Sequence, residues 1–389
     1  MSVQTEGAGG YRHAYVHVPF CARRCTYCDF AIAVRRQVPW RAFADAIGAE
    51  LRIRGVGPNG TATAGLALRT LYLGGGTPSL LGPSGVEALF EVLHTQLSLE
   101  ANAEVTVEAN PEDVTADAVA AWRRVGVNRV SLGVQSFDDG VLAWMHRVHD
   151  AQAALRAAET LRGGGIASVS LDLIFAAPEA LARNWESDLA QILALEPEHI
   201  SLYGLTIEPH TALGRRHARG DVIEAPDERY EREFLGAHDA LRAAGFEHYE
   251  VSNFARPGHR ARHNSAYWQG VPYLGIGPSA HGFDGVARRW NRAAFAAWEA
   301  DVLAGRDPVE GAELLTALNR EVEMVYLGLR TRDGLVLQAG EVGHVAPWHE
   351  QGWIEPVHQS DETRIRCTAS GWLRLDALAA DLTAFRSRS

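Results

Sequence analysis

The sequence predicts an α/β protein whose core is a parallel sheet, and three observations support this fold class. Six short β-like runs alternate with helix-like segments between residue 14 and about residue 205. Several of these runs are almost wholly apolar, as strands covered on both faces are. Glycine-rich turns follow some of them, notably GGGTPS at 74–79. Six β–α units in series fit either a doubly wound sheet or an incomplete barrel, and the pattern alone does not choose between these two.

The helix-like segments between the strands carry end signals. Ser84 followed by Glu87 predicts a capping box, Thr115 and Asp150 suit helix N-caps, and Gly126 suits the position just after a helix. The predicted strands, in order, are YVHV (15–18), RTLYL (69–73), EVTVEA (104–109), RVSLGV (129–134), SVSLDLIF (168–175) and HISLYGL (199–205).

A second, smaller α/β unit is predicted near the C-terminus. A helix-like run covers about residues 313–330, and the strand-like pieces WIEPV (353–357) and RIRCTA (364–369) follow it. Helix followed by short strands is winged-helix-like. We therefore expect an N-terminal tail (1–12), a core (13–230), a connecting region (231–304) and a C-terminal domain (305–389).

Composition excludes several function classes. The 389 residues carry 37 basic and 48 acidic side chains, a net charge of −11, which argues against general affinity for nucleic acid or anionic membrane. All 37 basic residues are arginine, so chemistry that needs a lysine amine is excluded: Schiff bases, pyridoxal phosphate attachment and the P-loop lysine. The sequence shows neither a signal-peptide pattern nor a long apolar run, so we expect a cytoplasmic protein without an integral membrane segment.

Three of the four cysteines are clustered, which is the strongest chemical signal. Cys21, Cys25 and Cys28 form C-x3-C-x2-C directly after the first predicted strand. Three close thiolates suit a [4Fe–4S] cluster with one iron left open. The alternatives are a zinc site that uses His17 as a fourth ligand, or three unrelated buried thiols. Cys367 is remote in sequence, and we expect it to be a small buried hydrophobe.

Other candidate residues follow predicted strands. The glycines at 74–76 would let a ligand approach the backbone closely, or would only form a tight turn. Glu108 and Asp172 end apolar strands, where a carboxylate is costly to bury without a partner. They could therefore face a ligand, cap a helix or pair with arginine.

The segment His263-Asn-Ser-Ala-Tyr-Trp268 is the second distinctive motif. A neutral imidazole can bind iron, and the neighbouring aromatic side chains offer a flat surface for a porphyrin. Taken alone, a histidine beside aromatic residues is more typical of a structural histidine. His281 in SAHGF is a further, weaker candidate.

The cysteine motif resembles the signature of the radical S-adenosylmethionine (SAM) proteins, which lies on the loop after the first barrel strand. The resemblance narrows to the oxygen-independent coproporphyrinogen III oxidase-like branch. Its Y-x-H-x-P-F-C lead-in matches Tyr15, His17, Pro19 and Phe20, and GGGTPS, TVEANPE (106–112), SLGVQSF (131–137) and DLIF (172–175) follow in the family's order. The resemblance implies a partial (β/α)6 TIM-like barrel, a [4Fe–4S] cluster whose open iron binds SAM, and SAM cleavage to a 5′-deoxyadenosyl radical.

The resemblance also implies roles for single residues. Cys21, Cys25 and Cys28 would hold the cluster. The expected SAM-site residues are Tyr15 and Tyr27 beside the cofactor, Gly75, Gly76 and Thr77 on its methionine moiety, and Glu108, Gln135, Arg147 and Asp172 along the rest of the site.

Two differences within the branch favour one function. H-N-x-x-Y-W is similar to the motif of its heme-chaperone group, in which His263 would be the heme ligand. True oxidases of the branch carry a further cysteine two residues after the third, where this chain has Phe30. The resemblance therefore implies a chaperone that binds heme and hands it to apo-hemoproteins, with a low-potential electron donor and transient membrane association as further expectations. The alternatives are a coproporphyrinogen III oxidase that decarboxylates propionates to vinyl groups, or a radical SAM enzyme with another substrate.

Overall fold

A computed structural model describes residues 10–57, 67–357 and 363–388 of the chain. The strands in these ranges are β1 (His13–Val18), β2 (Phe20–Cys21), β3 (Ala33–Val34), β4 (Leu68–Gly75), β5 (Leu99–Ala109), β6 (Arg129–Gln135), β7 (Ser168–Phe175), β8 (His199–Gly204), β9 (Glu247–Glu250), β10 (Asn253–Ala255), β11 (Leu274–Ile276), β12 (His281–Phe283), β13 (Ala287–Asn291), β14 (Val309–Leu314), β15 (Leu335–Val336), β16 (Ile354–Val357) and β17 (Arg364–Cys367). The α-helices are α1 (Trp40–Ile53), α2 (Gly82–Gln96), α3 (Ala116–Arg124), α4 (Asp139–Trp144), α5 (Ala151–Gly163), α6 (Trp185–Ala194), α7 (Ala212–Ala218), α8 (Asp227–Ala243), α9 (Arg262–Trp268), α10 (Phe295–Leu303), α11 (Ala317–Arg330), α12 (Glu341–Glu350), α13 (Ala369–Trp372) and α14 (Leu375–Arg386).

The largest sheet has nine strands in the order β11-β1-β4-β5-β6-β7-β8-β10-β9. Its six central strands, β1 and β4 to β8, are parallel neighbours. A doubly wound sheet reverses its strand order at one point, whereas here the order of these six strands follows the chain, as it does in a barrel. The fold is therefore the partial (β/α)6 barrel that the resemblance implies, extended by parallel β11 at one edge and by antiparallel β10 and β9 at the other.

All six predicted barrel strands are confirmed, and their register places polar residues side by side on neighbouring strands. Glu108 on β5 is paired with Ser131 on β6, and Asp172 on β7 is paired with Ser201 on β8. Glu108 lies near the carboxyl end of β5, and the other three residues lie near the middle of their strands. Leu132 and Leu171, which are neighbours of two of these polar residues on the same strands, are apolar and fully buried in the core. Folds of this class place their binding sites at the carboxyl ends of the strands.

Several predicted helix ends are confirmed. The Thr115 hydroxyl accepts a hydrogen bond from the Ala118 N–H, and the Asp150 carboxylate accepts one from the Ala153 N–H. Gly126, just after α3, has a φ of +94°, a left-handed conformation that suits the end of a helix.

The capping box predicted at Ser84 and Glu87 is wrong. Helix α2 begins earlier, at Gly82, because Pro83 is already suited to the first turn of a helix. Ser84 therefore lies inside the first turn, and the Glu87 carboxylate accepts hydrogen bonds from Arg124 of α3 instead.

The chain after the barrel forms two small antiparallel sheets, β12-β13-β14 and β15-β17-β16. The helix expected from about residue 313 begins later, at Ala317, because Glu313 and Leu314 belong to β14 and pair with β13. Thr316 and Asn319 then form a reciprocal cap at the start of α11. The domain boundary at residue 305 stays a prediction. Within the described ranges, no helix has the length and apolar character needed to cross a bilayer.

Candidate functional site

The loop that carries the three clustered cysteines is closed at its base by backbone pairing. Strands β2 and β3 run parallel on either side of it. The Ala33 N–H donates to the Pro19 carbonyl at 2.7 Å, and the Arg35 N–H donates to the Cys21 carbonyl at 3.0 Å. The loop between these points is therefore fixed at both ends.

The middle of the same loop is anchored to two distant segments. The Thr26 N–H donates to the Met145 carbonyl at 3.2 Å, and the Thr26 carbonyl accepts from the Leu213 N–H at 2.8 Å. The loop between Cys21 and Cys28 consequently takes its shape from its own base, from the end of α4 and from α7.

All three thiols are free and line one cavity of about 560 Å³ at the carboxyl ends of the barrel strands. Burial raises the pKa of Cys21 to about 11 and also raises the pKa of Cys28. The Thr77 hydroxyl lies 3.4 Å from the Cys21 sulfur, and Arg147 Nη1 lies 3.7 Å from the Cys25 sulfur. In the described part of the chain no three His, Cys, Asp or Glu side chains converge on a single-ion position. Three thiols spread around one cavity beside a cation suit the anionic ligand set of an iron–sulfur cluster.

His17 is unsuited to the fourth position of a zinc site. Its Nδ1 contacts the Tyr15 hydroxyl at 3.2 Å, and its Nε2 contacts the Ala31 carbonyl at 3.0 Å. Both ring nitrogens are therefore already engaged, whereas a zinc ligand needs one of them for the metal.

The glycines after β4 line the cavity, and close backbone packing also requires glycine at these positions. Gly75 has a φ of +111°, and a Cβ there would lie 2.5 Å from the His17 ring. A Cβ on Gly76 would lie 2.7 Å from the backbone carbonyl carbon of Pro19, which cannot move aside without shifting the lead-in to the cysteine loop. Both glycines line the cavity. They therefore form a tight turn and also leave the backbone open to a ligand, so the two interpretations of the glycines do not exclude each other.

Glu108 is held by neutral donors. The Tyr72 hydroxyl donates to its Oε1 at 2.8 Å, and the Gly75 N–H donates to its Oε2 at 3.0 Å. Burial raises the pKa of Glu108. It neither caps a helix nor pairs with arginine, so its charge is available to a ligand.

Asp172 has a similar environment. The Ser131 hydroxyl contacts Asp172 Oδ1 at 3.1 Å and Oδ2 at 3.2 Å, and burial raises the pKa of Asp172 to about 7. Two carboxyl groups with neutral partners in one cavity favour a ligand that carries positive charge.

Hydrogen bonds to the residue after β5 and to β6 fix the position of the Arg147 side chain. Its Nη2 donates to the Asn110 side-chain oxygen at 2.7 Å and to the Gly133 carbonyl at 2.9 Å. Although burial opposes its charge, Tyr27 and Cys25 keep the pKa of Arg147 above its ordinary value. The cavity therefore has a fixed cation beside the thiols.

The structure brings most of the predicted residues together. The first cavity is lined by the three cysteines and by Tyr27, Gly75, Gly76, Thr77, Glu108, Gln135, Arg147 and Asp172. Tyr15 lines a second, neighbouring cavity instead, and His263 lines neither of the two.

The second cavity has a volume of about 470 Å³ and lies between the barrel, β12, β13 and α11. Phe30, Gly75 and Glu108 line both cavities, so the two spaces are adjacent. Its other lining residues are Tyr15, His17, Ala31, Tyr267, Trp268, Gly270, Val271, Tyr273, Ser279, His281, Phe283, Arg288, Arg320, Glu323, Met324 and Leu327.

His263 has the arrangement of a structural histidine. It is 1% exposed, its Nδ1 lies 2.7 Å from the Thr70 hydroxyl, and its Nε2 lies 2.8 Å from the Tyr267 hydroxyl. Burial lowers the pKa of His263 to about 3. With both ring nitrogens engaged and no face on either cavity, His263 positions Tyr267 in this structure and is not free to bind a metal ion.

The sequence interpretation did not single out several polar residues that line this cavity, among them Ser131, Asn110 and Tyr203. Asn110 and Ser131 lie within the quoted motifs TVEANPE and SLGVQSF, and Asn110 could have been found by its place directly after β5. Ser131 and Tyr203 lie on strands that read as apolar, where a single hydroxyl looks like part of the core.

Comparison with known proteins agrees with this geometry. Residues 15–180 match the Radical SAM superfamily. The chain is 36% identical over 368 residues to a protein of Synechocystis sp. named "Heme chaperone HemW", covering 92% of this chain and 84% of that relative. It is 39% identical to a Mycobacterium tuberculosis protein of the same name, over 83% of this chain and 82% of that one. It is also 34% identical to the Bos taurus "Radical S-adenosyl methionine domain-containing protein 1, mitochondrial", over 97% of this chain and 89% of that one.

A solved structure shows the same fold. The coproporphyrinogen III oxidase HemN from Escherichia coli, described as a radical SAM enzyme, superposes with a TM-score of 0.80 over 97% of this chain and 92% of that chain. The sequences are 24% identical, so this likeness concerns the architecture alone.

Proposed function

Because the chain belongs to the family of the heme chaperone HemW within the radical SAM superfamily, we propose that it binds heme and passes it to apo-hemoproteins. The observation that carries the proposal is Phe30. It stands where an oxidase of this branch would have a further cysteine, its side chain is 65% exposed, and it lines both the thiol cavity and the aromatic cavity. A flat apolar side chain at this junction suits contact with a porphyrin, and it offers no thiol for chemistry on one.

The thiol cavity suits a [4Fe–4S] cluster and SAM. Cys21, Cys25 and Cys28 would hold the cluster, whose open iron would bind the amino and carboxylate groups of SAM and supply the electron for its cleavage. The residues that would hold SAM share one cavity wall and are Tyr27, Gly75, Gly76, Thr77, Glu108, Gln135, Arg147 and Asp172. Tyr15 would act from the neighbouring cavity, which Glu108 also lines. Glu108 and Asp172 would supply negative charge for the cationic sulfonium group of SAM.

The remaining partners and the compartment follow from the same chemistry. A cluster that reduces SAM needs a low-potential electron donor. Three neighbouring cysteines that stay free to bind iron require a reducing compartment. We therefore propose a cytoplasmic location. The net charge of −11 argues against nucleic acid as a partner, and transient contact with membrane-bound clients is proposed from the resemblance.

The test combines heme binding, heme transfer and turnover on the cluster-reconstituted full chain under anaerobic conditions. We expect saturable binding of hemin, transfer of that heme to the apo-form of a b-type cytochrome, and no conversion of coproporphyrinogen III when SAM and a low-potential reductant are supplied. Substrate-dependent formation of protoporphyrinogen IX together with 5′-deoxyadenosine would instead identify an oxidase. Absence of hemin binding would refute the chaperone function.

A further inference from the structure

The second cavity contains a histidine that the rest of the fold leaves unused. The His281 side chain on β12 is exposed and faces the cavity, and its ring stacks on Trp290 with the ring centroids 5.9 Å apart. Within the described residues the His281 imidazole makes no hydrogen bond or ion pair. Burial, and secondarily Arg288, lower its pKa, so at neutral pH the ring is neutral and can offer a nitrogen lone pair.

The other two histidines near this cavity cannot take that role as they stand. His17 has both ring nitrogens engaged, by Tyr15 and by the Ala31 carbonyl. His263 has both engaged, by Thr70 and by Tyr267. A metal ligand must give up a ring nitrogen, so of these three histidines His281 alone can bind iron without first breaking a hydrogen bond.

The walls around His281 fit a flat apolar ligand. Tyr273, Phe283 and Trp268 supply aromatic surface, and Met324 and Leu327 of α11 supply aliphatic surface. A volume of about 470 Å³ lies within the range of cofactor pockets. The side chain of Met324 is 43% exposed, so this wall opens to solvent and leaves a path for a ligand to enter and leave.

Two arginines supply positive charge in the same cavity. The Arg288 guanidinium pairs with Glu323 at 2.6 Å, whereas Arg320 has no carboxylate partner in the described chain and donates to the Gly285 carbonyl. The guanidinium of Arg320 lies over the Phe283 ring, 5.2 Å from its centroid. Each guanidinium has five N–H donors in a fork that matches a carboxylate, so donors remain for a ligand on both arginines.

From this arrangement we infer that the second cavity is the heme site, with a His281 ring nitrogen on the iron and Arg288 and Arg320 on the propionates. The inference rests on the proposed function and makes it specific. Heme combines an iron that takes a neutral imidazole, a flat apolar ring and two carboxylates, and the cavity offers a partner for each of these three parts. Phe30 would then separate the heme from the thiol cavity.

The test is a hemin titration of the cluster-reconstituted full chain, followed by difference absorption and electron paramagnetic resonance. We expect His281→Ala to weaken hemin binding at least about tenfold and to change the axial-ligand signature. Added imidazole should restore that signature, because it replaces the missing ligand. The matched control is His94→Ala on the exposed face of α2, which should leave both readouts unchanged. Iron and sulfide content confirms that each variant is folded.

The propionate contacts have their own test, which does not depend on His281. Arg320→Met should weaken hemin binding about tenfold but leave binding of hemin dimethyl ester unchanged, because the ester lacks carboxylates. Equal effects on both ligands would overturn the assignment of Arg320.

The outcomes separate this inference from the proposed function. If wild-type protein binds hemin and the His281→Ala variant binds it with the same affinity and spectrum, the proposed site is refuted. The proposed chaperone function would then still stand. Loss of the signature in His263→Ala, with His281→Ala unaffected, would move the ligand to His263. Wild-type protein that binds no hemin would remove the proposed function and this site with it.

Discussion

Arg147 joins the thiol loop to the barrel, because its Nη1 lies 3.7 Å from the sulfur of Cys25. The other arm of the guanidinium is hydrogen bonded to Asn110, just after β5, and to the carbonyl of Gly133 on β6. A cation held by β6 and by the residue that follows β5 thus faces one of the three thiols. Hydrogen bonds and charge at a ligand sulfur are a principal means by which a protein tunes an iron–sulfur cluster.

Replacing Arg147 with methionine should lower the reduction potential of the cluster. Loss of a positive charge and of one charged hydrogen bond disfavours the added electron, by roughly 60 mV for about 1.4 kcal/mol. A redox titration followed by electron paramagnetic resonance measures this shift. Arg156→Met on the exposed surface is the control, since the Arg156 side chain is 66% exposed. An unchanged potential in Arg147→Met would show that the contact with Cys25 does not act on the cluster.

Cys25→Ser should abolish the cluster, whereas Cys367→Ala should retain it. Cys25 lines the cavity together with Cys21 and Cys28, while Cys367 is 3% exposed and packed in the core of the C-terminal part. Visible absorption and the iron and sulfide content of anaerobically reconstituted protein measure the difference. Serine at position 25 with full iron and sulfide content would contradict the ligand assignment. Cys367→Ala should cost only stability, about 1 kcal/mol, because it removes one small buried side chain.

Gly76→Ala should destabilise the protein and impair cluster retention, although no ligand contact is removed. The new methyl group would meet the backbone of Pro19 and Phe20 at 2.7–2.8 Å, and such overpacking costs about 1–3 kcal/mol. Gly236→Ala makes the same change inside α8, where nothing lies within 4 Å of the new methyl group. It should stabilise the protein by up to about 1 kcal/mol. Thermal unfolding of the two variants beside wild type checks both signs, and equal effects would contradict the packing argument.

Asp172→Asn should change how stability depends on pH. Burial raises the pKa of Asp172 from its ordinary 3.8 to about 7, so the folded state keeps the proton over a range where the unfolded chain has lost it. Wild-type stability should therefore fall, relative to Asp172→Asn, as pH rises from about 4 to about 7, and then level off. The full shift in pKa corresponds to a loss of stability of about 4 kcal/mol. We expect a smaller loss, because the carboxylate is partly open to the cavity. The free energy of unfolding of both proteins should be measured in parallel between pH 4 and pH 8. A difference between the two that does not change with pH would contradict this prediction.

The barrel could be predicted from the sequence because its strands are short, largely apolar runs that alternate with helix-like segments carrying end signals. SVSLDLIF (168–175) is predicted to the residue as β7. The choice between a barrel and a doubly wound sheet was beyond pattern analysis, because strand order depends on contacts between segments far apart in the chain. The structure supplies this order directly.

The thiol cavity was more predictable than the aromatic one. Cysteine spacing and the ends of parallel strands are local signals, and they point to Cys21, Glu108 and Asp172 without knowledge of the whole fold. The role of His263 was not predictable, since its two hydrogen-bond partners, Thr70 and Tyr267, decide whether a ring nitrogen is free. His281 becomes the stronger candidate only once β12, β13 and α11 are assembled around one space.

Because the two cavities share part of their lining, we expect binding in one of them to affect binding in the other. Phe30, Gly75 and Glu108 face both spaces, so a ligand that shifts or rigidifies any of these three alters the wall presented to its neighbour. Linkage is reciprocal: if occupancy of the thiol cavity changes the affinity of the aromatic cavity by some factor, then occupancy of the aromatic cavity changes the affinity of the thiol cavity by the same factor. Such linkage would let the occupancy of one cavity control the release of a ligand from the other.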